Sequence, residues 1–235
     1  KGADFEKKLV WKTNEGFSVR PFYRAEDLEG LKNTDSLPGE FPYIRGTKTD
    51  NNWFVRQDIE VKDVKVANKK ALDVLGKGIT SLCFSFSGKG FTAEDLDLLL
   101  KDIKLDCIEI NFRNCYKETV SIVNLFSQYV KKNNYDPSKI TGSVNFDPFK
   151  GIILKGKELE ADLANSIKEV MLASESLPKL RVLGANPYYF NNAGAYCAQE
   201  LGYGLAYGNQ FLASGTEAGL SAKDIAKKIK FNFGV

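Results

Sequence analysis

Three carboxylates, Asp106, Glu109 and Asp147, fall at the ends of β-rich runs. Converging acids there can act as a general acid–base pair or hold a divalent cation. Arg56, two residues before Asp58, offers a cation for a phosphate or carboxylate, and Tyr189 offers a phenol that can donate a proton. Each also has an ordinary structural reading. Strand-end acids are usually solvated or ion-paired, Arg56 is a natural partner for Asp58 or Asp147, and Tyr189 suits a packing position with a satisfied hydroxyl. The expectation is therefore no metal. The four cysteines, Cys83, Cys107, Cys115 and Cys197, contain no CxxC pair, and the chain has no histidine. They read as reduced, buried thiols rather than zinc ligands.

The 235 residues carry 43% apolar and 12% aromatic side chains, enough for a large core in one α/β domain or two small ones. A net charge of +3, with Lys and Arg interspersed among Asp and Glu, leaves no basic stripe for nucleic acid. No apolar run approaches the roughly 20 residues that span a bilayer, and the opening KGADFEKKL is not a signal peptide. The expected location is cytoplasmic. A chain that opens on Lys1 reads as lacking some N-terminal sequence.

Residues 1–52 have a texture of their own. They hold Pro21, Pro38 and Pro42, three of the seven prolines, along with Trp11, Phe17, Phe22, Tyr23, Phe41 and Tyr43. This is too apolar for a free linker. It reads as an extended arm that wraps over another surface, or as a strand-and-turn cap on its own domain. From Trp53 onward, short β-rich runs alternate with helical patterns. The strands read WFVRQDIEV, SLCFSFS (Ser81 to Ser87), CIEINF, GSVNFD, LRVLGAN and KFNFGV. Thr92 and Ser221 open helices in the manner of N-caps. Apolar residues at spacings of three and four mark helices over Glu118 to Lys132 and Glu158 to Ala173.

Strand–helix alternation with short connections implies parallel pairing. No GxGxxG or P-loop follows any strand. Six units at roughly 30 residues each keep the pace of a (β/α)₈ barrel, so residues 53–235 read as a barrel portion that stops about two units short. Exposed strand edges then make self-association an expectation. Phe84, Phe86, Phe112 and Phe146 are candidates to fill the barrel bore.

Four stretches carry a family resemblance. They are LVWKTNEGFSVRPFYRAEDLEGL (residues 9–31), PGEFPYIRGTKTDNNWFVRQDIEV (38–61), GSVNFD (142–147) and NPYYFNNAGAYCAQELGYGLAYGNQFL (186–212). Together they resemble the methylmalonyl-CoA mutase family: its N-terminal arm, its entry to the barrel, its fourth strand, and its fifth strand with the helix that follows. The resemblance implies a TIM-type (β/α)₈ barrel, adenosylcobalamin as the radical source, and interconversion of methylmalonyl-CoA and succinyl-CoA.

Position by position, the matched residues depart from a catalytic subunit of that family. Asp58 stands where a tyrosine helps to trigger cobalt–carbon cleavage. Tyr189 stands where a histidine bonds the thioester carbonyl. Asn145 replaces a glutamine, and Lys155 is the nearest match to the arginine that holds the substrate carboxylate. Arg56 is the one surviving candidate for a substrate contact. With no histidine, the chain lacks the lower axial ligand for cobalamin, which in the family sits in a separate C-terminal domain.

The pattern is similar to the small subunit of the family's heterodimeric branch. That subunit is non-catalytic, binds no cofactor itself, and supports a catalytic large subunit that carries adenosylcobalamin. The alternative is a coenzyme A thioester isomerase or lyase using Arg56, Asp58 and Tyr189 in new roles. A scaffold implies exposed aromatics in residues 1–52; an enzyme implies a pocket.

Overall fold

The computed structural model describes residues 2, 4–32, 34–86, 90–114, 116–158 and 162–234, and the chain divides into two units, residues 1–53 and 54–235. In the first, α1 (Phe5–Leu9) starts at Asp4, whose carboxylate accepts from Glu6 N at 3.1 Å. β1 (Trp11–Lys12) and β2 (Ser18–Val19) pair antiparallel around a turn in which Thr13 Oγ1 donates to Phe17 O at 2.7 Å. A 3₁₀ turn follows at Ala25–Leu28. After it, the described residues up to Trp53 form turns, bends and irregular chain. Trp11, Phe17, Phe22, Tyr23, Phe41 and Tyr43 are exposed, Phe41 to 85%. Thr13 is the one buried residue among those described in this unit. The aromatic content therefore builds no core within the arm.

The second unit runs β3 (Arg56–Val61), α2 (Val64–Leu75), β4 (Ser81–Phe86), α3 (Ala93–Leu99), β5 (Glu109–Arg113) and α4 (Thr119–Lys132). It continues with β6 (Thr141–Phe146), α5 (Lys150–Lys155), α6 (Leu163–Ala173), β7 (Leu180–Ala185), α7 (Tyr188–Asn192), α8 (Cys197–Glu217), α9 (Ala222–Lys228) and β8 (Ile229–Phe231). The helices start where local chemistry places them. Asp63 accepts from Val66 N at 2.9 Å, Thr92 and Asp95 form a capping box, and Asp162 caps α6. Ser221 precedes α9 as expected, but its side chain makes no cap hydrogen bond.

β3 to β8 form one six-stranded parallel sheet whose order follows the chain without reversal. The expected α/β architecture with a parallel sheet is present, while the barrel does not close: among the described residues β3 and β8 each pair on one side only. Gly142 fits between strands because a Cβ there would overlap the Ile110 carbonyl, and its φ is +154°. No helix among the described residues is long and apolar enough to cross a membrane.

Alternation along the strands separates two faces. Leu82, Phe84, Ile110, Phe112 and Val144 lie in the core, with Phe112 edge-on to Phe126 of α4 at 5.1 Å. Phe86 stacks on Phe112, and Phe146 meets Tyr116. The four phenylalanines considered as bore fillers thus belong to the helix-side core, because the intervening strand positions turn to the opposite face.

Three local expectations change. β3 begins at Arg56 rather than Trp53. The run Asn186 to Asn192 is not strand: β7 ends at Ala185, and with Pro187 at the N-cap the chain turns into α7. α6 begins at Leu163, where the Asp162 side chain caps its first turn, rather than at Glu158. Ser87, Leu159 and Cys115, invoked in the sequence reading, lie outside the described residues.

Candidate functional site

The parallel registers set side chains of the second sheet face in rows. Asp58 pairs with Cys83, Cys83 with Asn111, and Asn111 with Ser143; Arg56 pairs with Ser81, and Ser81 with Glu109. Parallel neighbours in register point to the same side, so this face is polar across four strands. It floors a cleft of about 490 Å³ lined by Arg56, Arg113, Asn111, Asn145, Asn186 and Asn232, among others.

Two bonded groups fill the floor. Asp58 bridges two guanidinium groups, with Arg56 Nε 3.2 Å from its Oδ1 and Arg113 Nη2 3.2 Å from its Oδ2. Deeper, Ser81 Oγ donates to Glu109 Oε2 at 2.7 Å, and Asn111 Nδ2 donates to Ser81 Oγ and to Glu109 Oε2. Ser143 Oγ and Lys230 Nζ both donate to Asn111 Oδ1, at 2.6 and 2.9 Å.

Burial works against the Glu109 charge, but Lys230 and the bonds from Ser81 and Asn111 outweigh it and hold the carboxyl below its ordinary pKa. Burial pushes Lys230 below the usual lysine value despite Glu109 at 3.9 Å, since Arg56 and Arg181 add like charge. The Cys83 thiol is pushed up, first by burial and then by Asp58. It remains protonated and is no nucleophile at neutral pH.

Lys230 also reports the shape of the sheet. Three strand spacings separate β8 from β5, roughly 14 Å in a flat sheet at ~4.8 Å each. A lysine and an asparagine side chain together do not span that distance. Their bond across the polar face requires the sheet to curl around the cleft.

A second cluster sits where β6 meets α5. Asp147 is 3% exposed. Its carboxylate accepts from Phe149 N and Lys150 N at 3.2 and 3.1 Å, Tyr207 Oη at 3.2 Å, Tyr189 Oη at 3.0 Å and Asn186 Nδ2 at 2.6 Å. Burial raises its pKa, and the donors offset part of that rise. The Tyr189 and Tyr207 phenols are pushed upward, mainly by burial and also by the neighbouring Asp147 charge.

Arg56 and Asp58 therefore come together, joined by Arg113. Asn145 lines the cleft and accepts from Asn186 Nδ2 at 3.2 Å. Tyr189 lies on α7, 7% exposed, with its hydroxyl committed to Asp147. Lys155 is exposed at the end of α5 and is not among the residues lining the cleft. Asp106, Glu109 and Asp147 do not converge, and the described residues contain no His/Cys/Asp/Glu group suited to a metal ion. Of the cysteines, Cys83 is buried, whereas Cys107 and Cys197 are exposed, contrary to the reading of all four as buried. Sequence reasoning missed Arg113, Asn111, Ser143, Asn186, Tyr207 and Lys230. Their signal, polar residues at alternate strand positions, was present for Asn111 and Ser143.

Comparison with known proteins places these features in a lineage. The family model described as methylmalonyl-CoA mutase matches residues 12–89 and 91–235. The chain is 49% identical to a methylmalonyl-CoA mutase small subunit from Porphyromonas gingivalis, over 100% of this chain and 38% of that protein. Two Streptomyces virginiae proteins also match. The small subunit is 27% identical over 99% of this chain and 38% of its own length. The large subunit is 23% identical over 98% of this chain and 35% of its own length. The chain thus spans less than two fifths of the length of these relatives.

Proposed function

The chain belongs to the methylmalonyl-CoA mutase family, and from that premise we propose that it is the barrel portion of a small subunit that supports a catalytic large subunit and does not itself carry out the mutase reaction. Six parallel strands in chain order, curled so that Lys230 reaches Asn111, support six of the eight units of a TIM-type barrel. The exposed aromatics of residues 1–52 support an arm that lies over a partner. Among the described residues β3 and β8 each keep one unpaired edge, and through these edges the 235-residue piece on its own is expected to self-associate.

The observation that carries the non-catalytic reading is the bonding of Tyr189. A group that polarises a thioester carbonyl must present a free donor to the cleft. The residue at that position instead donates its hydroxyl hydrogen bond to a buried carboxylate. Asp58, at the position of the trigger tyrosine, is neutralised between two arginines. These 235 residues contain no histidine, and we assign adenosylcobalamin to the large subunit. The complex works in the cytoplasm.

A second reading rests on the cleft itself. Arg56 and Arg113 beside asparagines suit the carboxylate or phosphates of an acyl-CoA, as an isomerase or lyase with altered residues would require. The test uses the full-length protein, alone and with a large subunit from the same source. We expect a stable one-to-one complex, succinyl-CoA formation that depends on the large subunit, and no calorimetric heat when the protein alone is titrated with methylmalonyl-CoA, succinyl-CoA or coenzyme A. Saturable micromolar binding or turnover by the protein alone would overturn the scaffold in favour of the second reading.

A further inference from the structure

Among the described residues, the charged side chains that line the cleft are Arg56 and Arg113, and no carboxylate shares the lining with them. The neutral polar lining includes five asparagines. Two cations among amide donors have the chemistry of a site for a carboxylate or a phosphate. The chain fills that site from within.

Arg56, Asp58 and Glu60 share one side of β3, and Glu109, Asn111 and Arg113 share the same side of β5, because alternate strand positions point the same way. In register, Arg113 stands level with Ser85 and Glu60, one row beyond Asp58, Cys83 and Asn111. Its guanidinium nevertheless reaches back across β4, two strand spacings or about 10 Å, to Asp58 Oδ2, while Arg56 takes Oδ1 from further down β3. Cys83 and Ser85, both small, occupy the strand between and leave room for this crossing. Glu60, in the row of Arg113 itself, pairs instead with Lys62 at 3.3 Å. Two cations thus converge on one carboxylate, each on its own oxygen, as they would on the carboxylate of a ligand. The three side chains are between 34% and 45% exposed, so dissolved anions can reach them.

We propose that Arg56 and Arg113 form an oxyanion site of the carboxylate or phosphate class, and that Asp58 is its built-in occupant, which holds the cleft closed to acidic ligands. The inference deepens the non-catalytic reading above and rests on it: with both arginines in place, a cleft that takes no acyl-CoA needs a reason, and Asp58 supplies one. Exposed ion pairs are individually weak, so strength alone does not exclude a competitor. Proximity does. Asp58 stands two residues from Arg56 on the same strand and faces both arginines at an effective concentration that a free monoanion must exceed, millimolar or above. With that carboxylate removed, two like charges are left side by side, and an anion from solution relieves their repulsion.

The test is titration of the full-length protein with sodium acetate and with inorganic phosphate at constant ionic strength, read by calorimetry and by thermal melting. Asp58→Ala binds one anion saturably in the millimolar range and gains Tm as the anion is added, whereas the wild type binds at least about tenfold more weakly. Acetate ahead of phosphate marks a carboxylate site, and the reverse order a phosphate site. Asp58→Asn, which keeps the size of the side chain and removes its charge, changes in the same direction. Adding Arg113→Gln to Asp58→Ala abolishes the binding, and Glu60→Ala, which removes the next carboxylate on that side of β3, creates none. Equal affinity in the wild type and both Asp58 variants, or binding that survives Arg113→Gln, would overturn the built-in occupant and leave the non-catalytic reading standing. Turnover of methylmalonyl-CoA by the wild-type protein alone would instead sink that reading and this inference with it.

Discussion

Lys228 enters the protein interior, and no carboxylate among the described residues forms a salt bridge with it. It is 8% exposed, and its Nζ donates to Ser174 O at 3.0 Å and Leu177 O at 2.8 Å, carbonyls at the C-terminal end of α6 and just beyond it. Burial lowers its pKa from 10.5 to about 8, so the unfolded chain binds the proton more tightly than the native state. Stability must therefore rise with pH between those two values. The 2.5-unit difference corresponds to about 3 kcal/mol at its limit, and partial solvation of the amine reduces that. Between pH 7 and 9.5 the gain is on the order of 1–2 kcal/mol.

Lys228→Met removes both the desolvated charge and the two hydrogen bonds, each worth about 1 kcal/mol. These effects roughly cancel at pH 7. By pH 9.5 the wild type has shed the charge and kept the bonds, so the variant becomes the less stable of the two by about 1–2 kcal/mol. Urea unfolding at pH 7, 8, 9 and 9.5 should be followed by far-ultraviolet circular dichroism, which reads the helices of the second unit directly. Subtracting one protein's curve from the other's cancels the titration of tyrosines and cysteines common to both. Parallel curves across that range would refute a depressed lysine pKa.

Two further perturbations test the sheet and its polar rim. Gly142→Ala drives a methyl group into the Ile110 carbonyl and is expected to cost at least about 3 kcal/mol. Gly78→Ala, at positive φ in open space, costs only about 1 kcal/mol, and equal urea midpoints for the two would contradict the close strand approach. Asp147→Asn places an amide among five donors and is expected to cost about 2–4 kcal/mol. Because the native Asp147 pKa lies above 3.8, the native state holds its proton more tightly, and wild-type stability contributed by this group falls as pH rises through the window between the two values. The asparagine variant lacks that fall, which urea melts from pH 4 to 6 would reveal as a change of slope.

Local pattern carried the strands and the helix starts because their causes are local. β-branched and aromatic runs, Thr92 with Asp95, and the apolar face of α4 each act within a few residues. The polar face is different. Asp58 and Arg113 meet across 55 positions of chain, and Lys230 and Asn111 across 119. A parallel strand shows which of its residues share a side, but not which residue of the next strand stands beside them. That register depends on how each crossover helix packs, so Arg113 was invisible as the second partner of Asp58 although both residues were in view.

Tyr189 shows the reverse case, in which a local cause was present and overlooked. Pro187 at the N-cap and the accepting carbonyl of Asn186 turn the chain out of β7 into α7, and this turn is what carries the hydroxyl to Asp147. Read as strand, Tyr189 is a candidate acid facing a cleft; read as the second residue of a helix, it is a buried donor already satisfied. The difference between a failed catalyst and a structural tie rests on that one turn of backbone. It also explains why Asp147, considered as one of a carboxylate pair, as a metal ligand or as a partner for Arg56, instead joins β6, α5, α7 and α8 through five hydrogen bonds.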